Sequence, residues 1–314
     1  CGTQWLDTAA ANTWHADIAH GWYVESAHFV ISTMVERERL EWCKHWADQT
    51  HGDLVRILGI EPGTRPSAID LFGPQRNKPE LVVCKSLQQY NVFANSGVES
   101  DGFSSFHYAF FADALLGTSV KPAAYAALGV GVWDNSTQQL DSFGQHSIRH
   151  AAAQSFLEAV DPSWKALGDA ALGTPAKSNV AFWAEKKIPR WLRYGGASYV
   201  ERWFLDKTVG EGGNPRWSRE WALQTLKKDG GLRDLQKVFE FKLTTADVPG
   251  STRLIHEAGL VVAFVLDGED KPVQRAHQAF QQALRSGAST APAVAELQKA
   301  LLAAKAGLLK FAGG

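Results

Sequence analysis

The chain has 314 residues, 45% of them hydrophobic and 21% charged, a balance that suits one large folded domain or two smaller ones. Lys and Arg total 32 against 33 Asp and Glu, a formal net charge of -1 without a basic stripe, which argues against a nucleic-acid partner. No window of about 18 uninterrupted apolar residues occurs, so no transmembrane helix is expected.

The chain begins Cys1-Gly2. That fits either a processed bacterial lipoprotein start, exported and lipid-anchored through Cys1, or an arbitrary boundary; no signal-peptide pattern is visible, and the compartment stays open. Trp is abundant at 12 residues, which implies large buried rings whose N–H groups need partners. Strand formers in WYVESAHFVIST predict a strand over residues 27–32. Residues 36–58 then carry apolar side chains at helical spacing, from Leu40 through Cys43 and Trp46 to Leu58, and Gly59 stops them. Residues 80–84, ELVVC, predict a second strand. A short helix is expected over 88–93, an element of undecided type over 106–115, and a strand over 130–133. Cys43 and Cys84 read as two small buried thiols, with a disulfide between them left open; without a CxxC pair, a cysteine zinc site is not expected.

After residue 142 the pattern turns helical. Helices are expected over 145–160, 191–206, 217–228, 232–239, 252–266, 271–286 and 291–310, punctuated by Gly230-Gly231, Asp267-Gly268 and Gly287. No internal repeat and no low-complexity tract is present.

Residues 145–160, QHSIRHAAAQSFLEAV, pose the functional question. An HExxH zinc helix needs two imidazoles four positions apart on one face, and a glutamate beside the first to hold and deprotonate water. Here His150 is followed by Ala151, and the second position is Gln154. The order of segments, with SAHFVIST, PELVVCKSLQQY and GVGVWD ahead of this helix and WLRYGGASY and LIHEAGLVV after it, resembles the peptidase-MA-like, gluzincin-type domain of bacterial proteins. The resemblance spans about residues 27–284, and its most specific piece is Trp191, Leu192, Gly195, Ala197 and Tyr199. It implies a zincin-like fold with His150 at the first ligand position, Ala151 at the general base, Gln154 at the second ligand and Tyr194 at the third. Three of the four depart from the pattern. Loss of the base alone removes on the order of 10²–10⁴ in rate. The resemblance therefore implies a pseudo-peptidase without catalytic zinc or other cofactor. It acts as a binding or scaffold protein, and its relic cleft, formed by His150, Gln154, Tyr194, Tyr199 and His146, takes an extended peptide or another protein.

His146 and His150 stand four apart and give the alternative, a metallopeptidase or hydrolase with non-standard ligands; no glutamate lies between them. His256-Glu257 starts like HExxH, but the next ligand position is Leu260, so a core helix is expected. A paired-carboxylate glycosidase would draw on Glu201, Asp206, Glu211 and Glu220 in a Trp-rich region. No GxSxG, GxxxxGK[ST] or GxGxxG motif occurs, and a nucleophile pair of Cys43 with His45 is disfavoured because the two point apart on a helix.

The expectation is an α+β protein: an N-terminal mixed sheet with one long helix over residues 1–140, then a mainly helical part over 141–314 carrying the relic helix, the two sharing a groove as one continuous unit. His150, Gln154 and Tyr194 are expected to meet in space. Oligomeric state is not legible.

Overall fold

A computed structural model of the chain describes residues 5–63, 65, 66, 75, 76, 78–86, 88, 89, 128–133, 140–161, 187–201, 231–242 and 247–312. The fold is α+β, a small mixed sheet with a majority of helix. The chain forms two compact units. The first draws on Cys1–His51, Pro62–Glu99 and Ser104–Gly168, and the second on Gly52–Glu61, Ser100–Phe103 and Asp169–Gly314.

The first unit opens with helix α1 (Thr8–His15), capped by Asp7, whose carboxylate accepts from the Ala10 amide. Strands β1 (Trp22–Glu25) and β2 (Val30–Thr33) pair antiparallel. The strand expected over 27–32 is β2, which begins three residues later; a loop precedes it, and β1 lies ahead of that loop. Asp48 explains the loop: its carboxylate accepts from the Ser26 hydroxyl and from the Ala27 and His28 amides at 2.7–3.1 Å, leaving none of these groups for a ladder. Helix α2 (Leu40–Leu58) follows, as its spacing predicts, after one 3₁₀ turn at Arg37–Arg39. A two-residue ladder, β3 (Arg65–Pro66) with β4 (Gln75–Arg76), stands apart. Strand β5 (Glu80–Cys84) lies where the sequence places it, and β6 (Leu128–Val132) begins two residues earlier than expected.

The main sheet has the order β1-β2-β5-β6, with parallel pairing of β2 to β5 and of β5 to β6. Helix α3 (Leu140–Val160) lies on β6 and starts five residues earlier than expected. Their contact is unusually close. A Cβ built on Gly129 would sit 2.0 Å from the Ala151 carbonyl oxygen, and one on Gly131 would sit 3.1 Å from that of Ser147. Only glycine lets this strand lie against the helix backbone. Two serines stitch the layers: Ser147 Oγ accepts from the Val132 amide at 2.8 Å, and Ser155 Oγ donates to the Glu80 carbonyl at 2.7 Å.

The second unit is built on helix α4 (Arg190–Glu201), α5 (Leu235–Glu240), α6 (Val248–Asp267), α7 (Lys271–Ser286), α8 (Ala291–Ala303) and α9 (Lys305–Phe311). The helix expected over 291–310 breaks at Ala304 into two. From His256 to Val265 α6 is buried on all sides, as an inner helix should be. It crosses α4 closely: a Cβ on Gly195 would meet the Ala258 carbonyl oxygen at 2.6 Å, and one on Gly259 would meet Ser198 Oγ at 2.6 Å. Helix α7 is capped by Asp270 and ended by Gly287 at φ +72°.

The expected elements over 106–115 and 217–228, and those parts of 88–93 and 191–206 beyond Gln89 and Glu201, lie outside the described residues. Among the described residues no helix is long and apolar enough to cross a membrane.

Candidate functional site

The site begins with the rotation of α3. Positions 147, 151 and 155 form the stripe that faces the sheet, one turn apart. Ala151, at the general-base position, is therefore sealed: it is 1% exposed, and a Cβ on Gly131 would stand 3.3 Å from its own Cβ. A glutamate there would have to force the helix off β6 or bury its carboxyl.

His150 and Gln154 project about 100° around the helix from that stripe and are joined to each other. Gln154 Nε2 lies 3.3 Å from His150 Nε2. An amide nitrogen only donates, so in this contact His150 Nε2 is the acceptor. The lone pair that a zinc ion would take at Nε2 is engaged by Gln154. His150 is half-buried, and Gln154 is 1% exposed with no hydrogen-bond partner for its Oε1. His146 lies on the same helix, but its side chain is outside the described residues.

Tyr194 and Tyr199 lie on α4 in the second unit. Tyr194, at the third-ligand position, is 4% exposed and stacks on Phe241 with ring centroids 5.2 Å apart. Tyr199 is buried, and its hydroxyl donates to Asp267 Oδ2 at 3.0 Å. Arg56 completes that group, donating to Asp267 Oδ1 at 2.6 Å and to the Tyr199 hydroxyl at 3.4 Å. The structure joins His150 to Gln154 within the first unit and engages Tyr194 and Tyr199 within the second.

The donor set does not fit zinc. One imidazole is already hydrogen-bonded, the second ligand position holds a carboxamide, and the third a phenol. Among the described residues no three His, Cys, Asp or Glu side chains stand together as metal ligands.

The other candidates resolve one by one. Glu257 is fully buried and held by two arginines: Arg253 Nε donates to Oε1 at 3.1 Å, and Arg233 Nε lies 2.9 Å from Oε2. Burial raises its pKa, and the backbone amide and charge of Arg233 and the charge of Arg253 oppose the rise. It is a structural clamp between the 231–234 turn and α6. His256 beside it is buried in the core helix, as expected. Cys43 and Cys84 are free and buried; burial pushes the Cys43 thiol up to about 12 and Cys84 higher still, so neither is a nucleophile. Of the glycosidase acids, Glu201 is buried on α4, and Asp206, Glu211 and Glu220 lie outside the described residues. Trp46, Trp133 and Trp191 are buried as their number suggested, but Trp5, Trp14 and Trp42 are exposed.

Sequence reasoning missed the seal on Ala151. Its signal was there in GVGV: glycines two apart on a strand share one face. No protein-family model matches the chain, and neither a curated protein nor a solved structure is significantly similar to it.

Proposed function

We propose that this chain is a catalytically inactive, metallopeptidase-like protein with a zincin-like architecture that acts by binding an extended peptide or another protein. The observation that carries the reading is the His150–Gln154 hydrogen bond, which puts an amide where a second imidazole would be and uses the first one's lone pair. The seal on Ala151 supports it, because no base at that position could reach water. The order of elements supports it too: strand β6 leads into α3, and the WLRYGGASY helix packs on the LIHEAGLVV helix.

In this reading the segments that held substrate outlast the loss of chemistry. Gln154 and His150, joined within the first unit, supply hydrogen bonds to the ligand. The test has two arms. A library of unstructured peptides is screened for binding and for cleavage, and affinities are remeasured in Gln154→Ala and His150→Ala. Binding without cleavage, weakened in both variants, is the expected outcome. Turnover by the metal-free protein, or affinity unchanged in both variants, defeats the proposal.

A further inference from the structure

Helix α3 carries a second polar face, distinct from the one holding His150 and Gln154. Gln145 and Arg149 are one turn apart on it, and both are fully buried. Arg149 Nη2 donates to Gln49 Oε1 on α2, and Gln49 Nε2 lies 3.0 Å from His45 Nε2. Partial desolvation, then the charge of Arg149, holds the pKa of His45 below the usual value, so the Arg149 charge is felt across to α2. Trp46, the next residue on α2, packs on Trp133 with centroids 4.8 Å apart. Trp133 directly follows β6, and the Val132 amide before it donates to Ser147, between Gln145 and Arg149 on α3. Arg39 completes the group, with its guanidinium carbon 4.5 Å from the Trp133 ring centroid. Three elements of one unit thus converge here.

Four polar atoms in this group have no hydrogen-bond partner: Gln145 Nε2 and Oε1, Trp46 Nε1 and Trp133 Nε1. All belong to side chains at most 2% exposed. Buried polar atoms are nearly always satisfied, and an apolar side chain would fill the Gln145 position better if nothing were bound there. The unmatched set is chemically one-sided: three N–H donors, one acceptor, and two guanidinium charges nearby. That is the complement of a negatively charged oxygen group.

We propose that Trp46, Trp133 and Gln145, in the field of Arg39 and Arg149, form a binding site for a small oxyanion, the carboxylate or phosphate group of a small molecule. In the proposed site the two indole N–H groups and the Gln145 amide N–H donate to the anion, and Gln145 Oε1 accepts from a hydroxyl or amine on the same ligand. Arg39, partly exposed, marks the side open to solvent. The site is independent of the metallopeptidase-like reading.

The test is calorimetric titration of the full chain with sodium phosphate and, separately, sodium lactate, against sodium chloride at matched ionic strength. Saturable binding of one of the two anions at one per chain is expected, and the anion that binds identifies the source. Gln145→Leu should weaken that binding about tenfold or more, and Trp46→Phe, which removes only the indole N–H from a packed ring, should weaken it as well. Circular dichroism checks that each variant is folded. Binding of neither anion above chloride overturns the proposal, as does unchanged affinity in Trp46→Phe and a folded Gln145→Leu.

Discussion

Restoring the missing glutamate by Ala151→Glu should not restore a site; it should loosen the first unit. The residue is 1% exposed, and its carbonyl oxygen would lie 2.0 Å from a Cβ on Gly129, so strand and helix already touch at backbone level. The four added heavy atoms beyond Cβ have no space. Overpacking costs about 1–3 kcal/mol, and a buried carboxyl without a partner adds roughly 1–3 more. The expected loss is therefore about 2–6 kcal/mol, against total stabilities of about 5–15. Urea unfolding followed by far-UV circular dichroism reads it, with half-buried Ala159→Gln on the same helix as the control, expected within about 1 kcal/mol of the parent. The penalty should shrink near pH 4 and grow as pH rises past the ordinary glutamate value near 4.3, because the unfolded chain ionises there first. A loss under about 1 kcal/mol, flat with pH, would mean that the new carboxylate reaches water and that the helix–strand contact is not the seal described.

Gly195→Ala should lower stability by about 1–3 kcal/mol, since its Cβ would meet the Ala258 carbonyl oxygen at 2.6 Å; thermal unfolding checks it. Tyr199→Phe removes the hydroxyl that donates to Asp267 and should cost about 1 kcal/mol by the same assay, less than a core truncation, because Arg56 still pairs Asp267. His277 donates from Nε2 to the Ile57 carbonyl at 2.7 Å; burial first, then the Arg56 charge, lower its pKa against the opposing effect of that hydrogen bond. The unfolded chain therefore takes the proton first, and stability is full above the ordinary value near 6.5 and falls as pH drops below it. The urea midpoint should drop between about pH 7.5 and 5.5, and His277→Gln should flatten that drop. In a Cys1→Ser chain, Cys43 and Cys84 should resist Ellman's reagent when folded and react in urea, since burial disfavours both thiolates.

The parts legible in the sequence were those written in periodicity. Residues 80–84 and 271–286 came out at their observed bounds because β-branched runs and a clear apolar stripe left no competing pattern. The β1–β2 loop was not legible, because Asp48, which organises it, lies 20 residues downstream. The break at Ala304 was hidden by an alanine-rich stretch in which every residue favours helix. At the site, residue types revealed that ligands were replaced but not what the replacements do. The His150–Gln154 bond follows from spacing four and could have been foreseen. The engagement of Tyr194 by Phe241 and of Tyr199 by Asp267 joins distant segments, and no local pattern encodes it.

Whether the relic positions hold metal is read from zinc content, measured by elemental analysis after incubation with excess zinc and removal of the unbound metal. No stoichiometric zinc is expected, because His150 is tied to Gln154 and the other two ligand positions hold a carboxamide and a phenol. One zinc per chain, lost in His150→Ala, would contradict it.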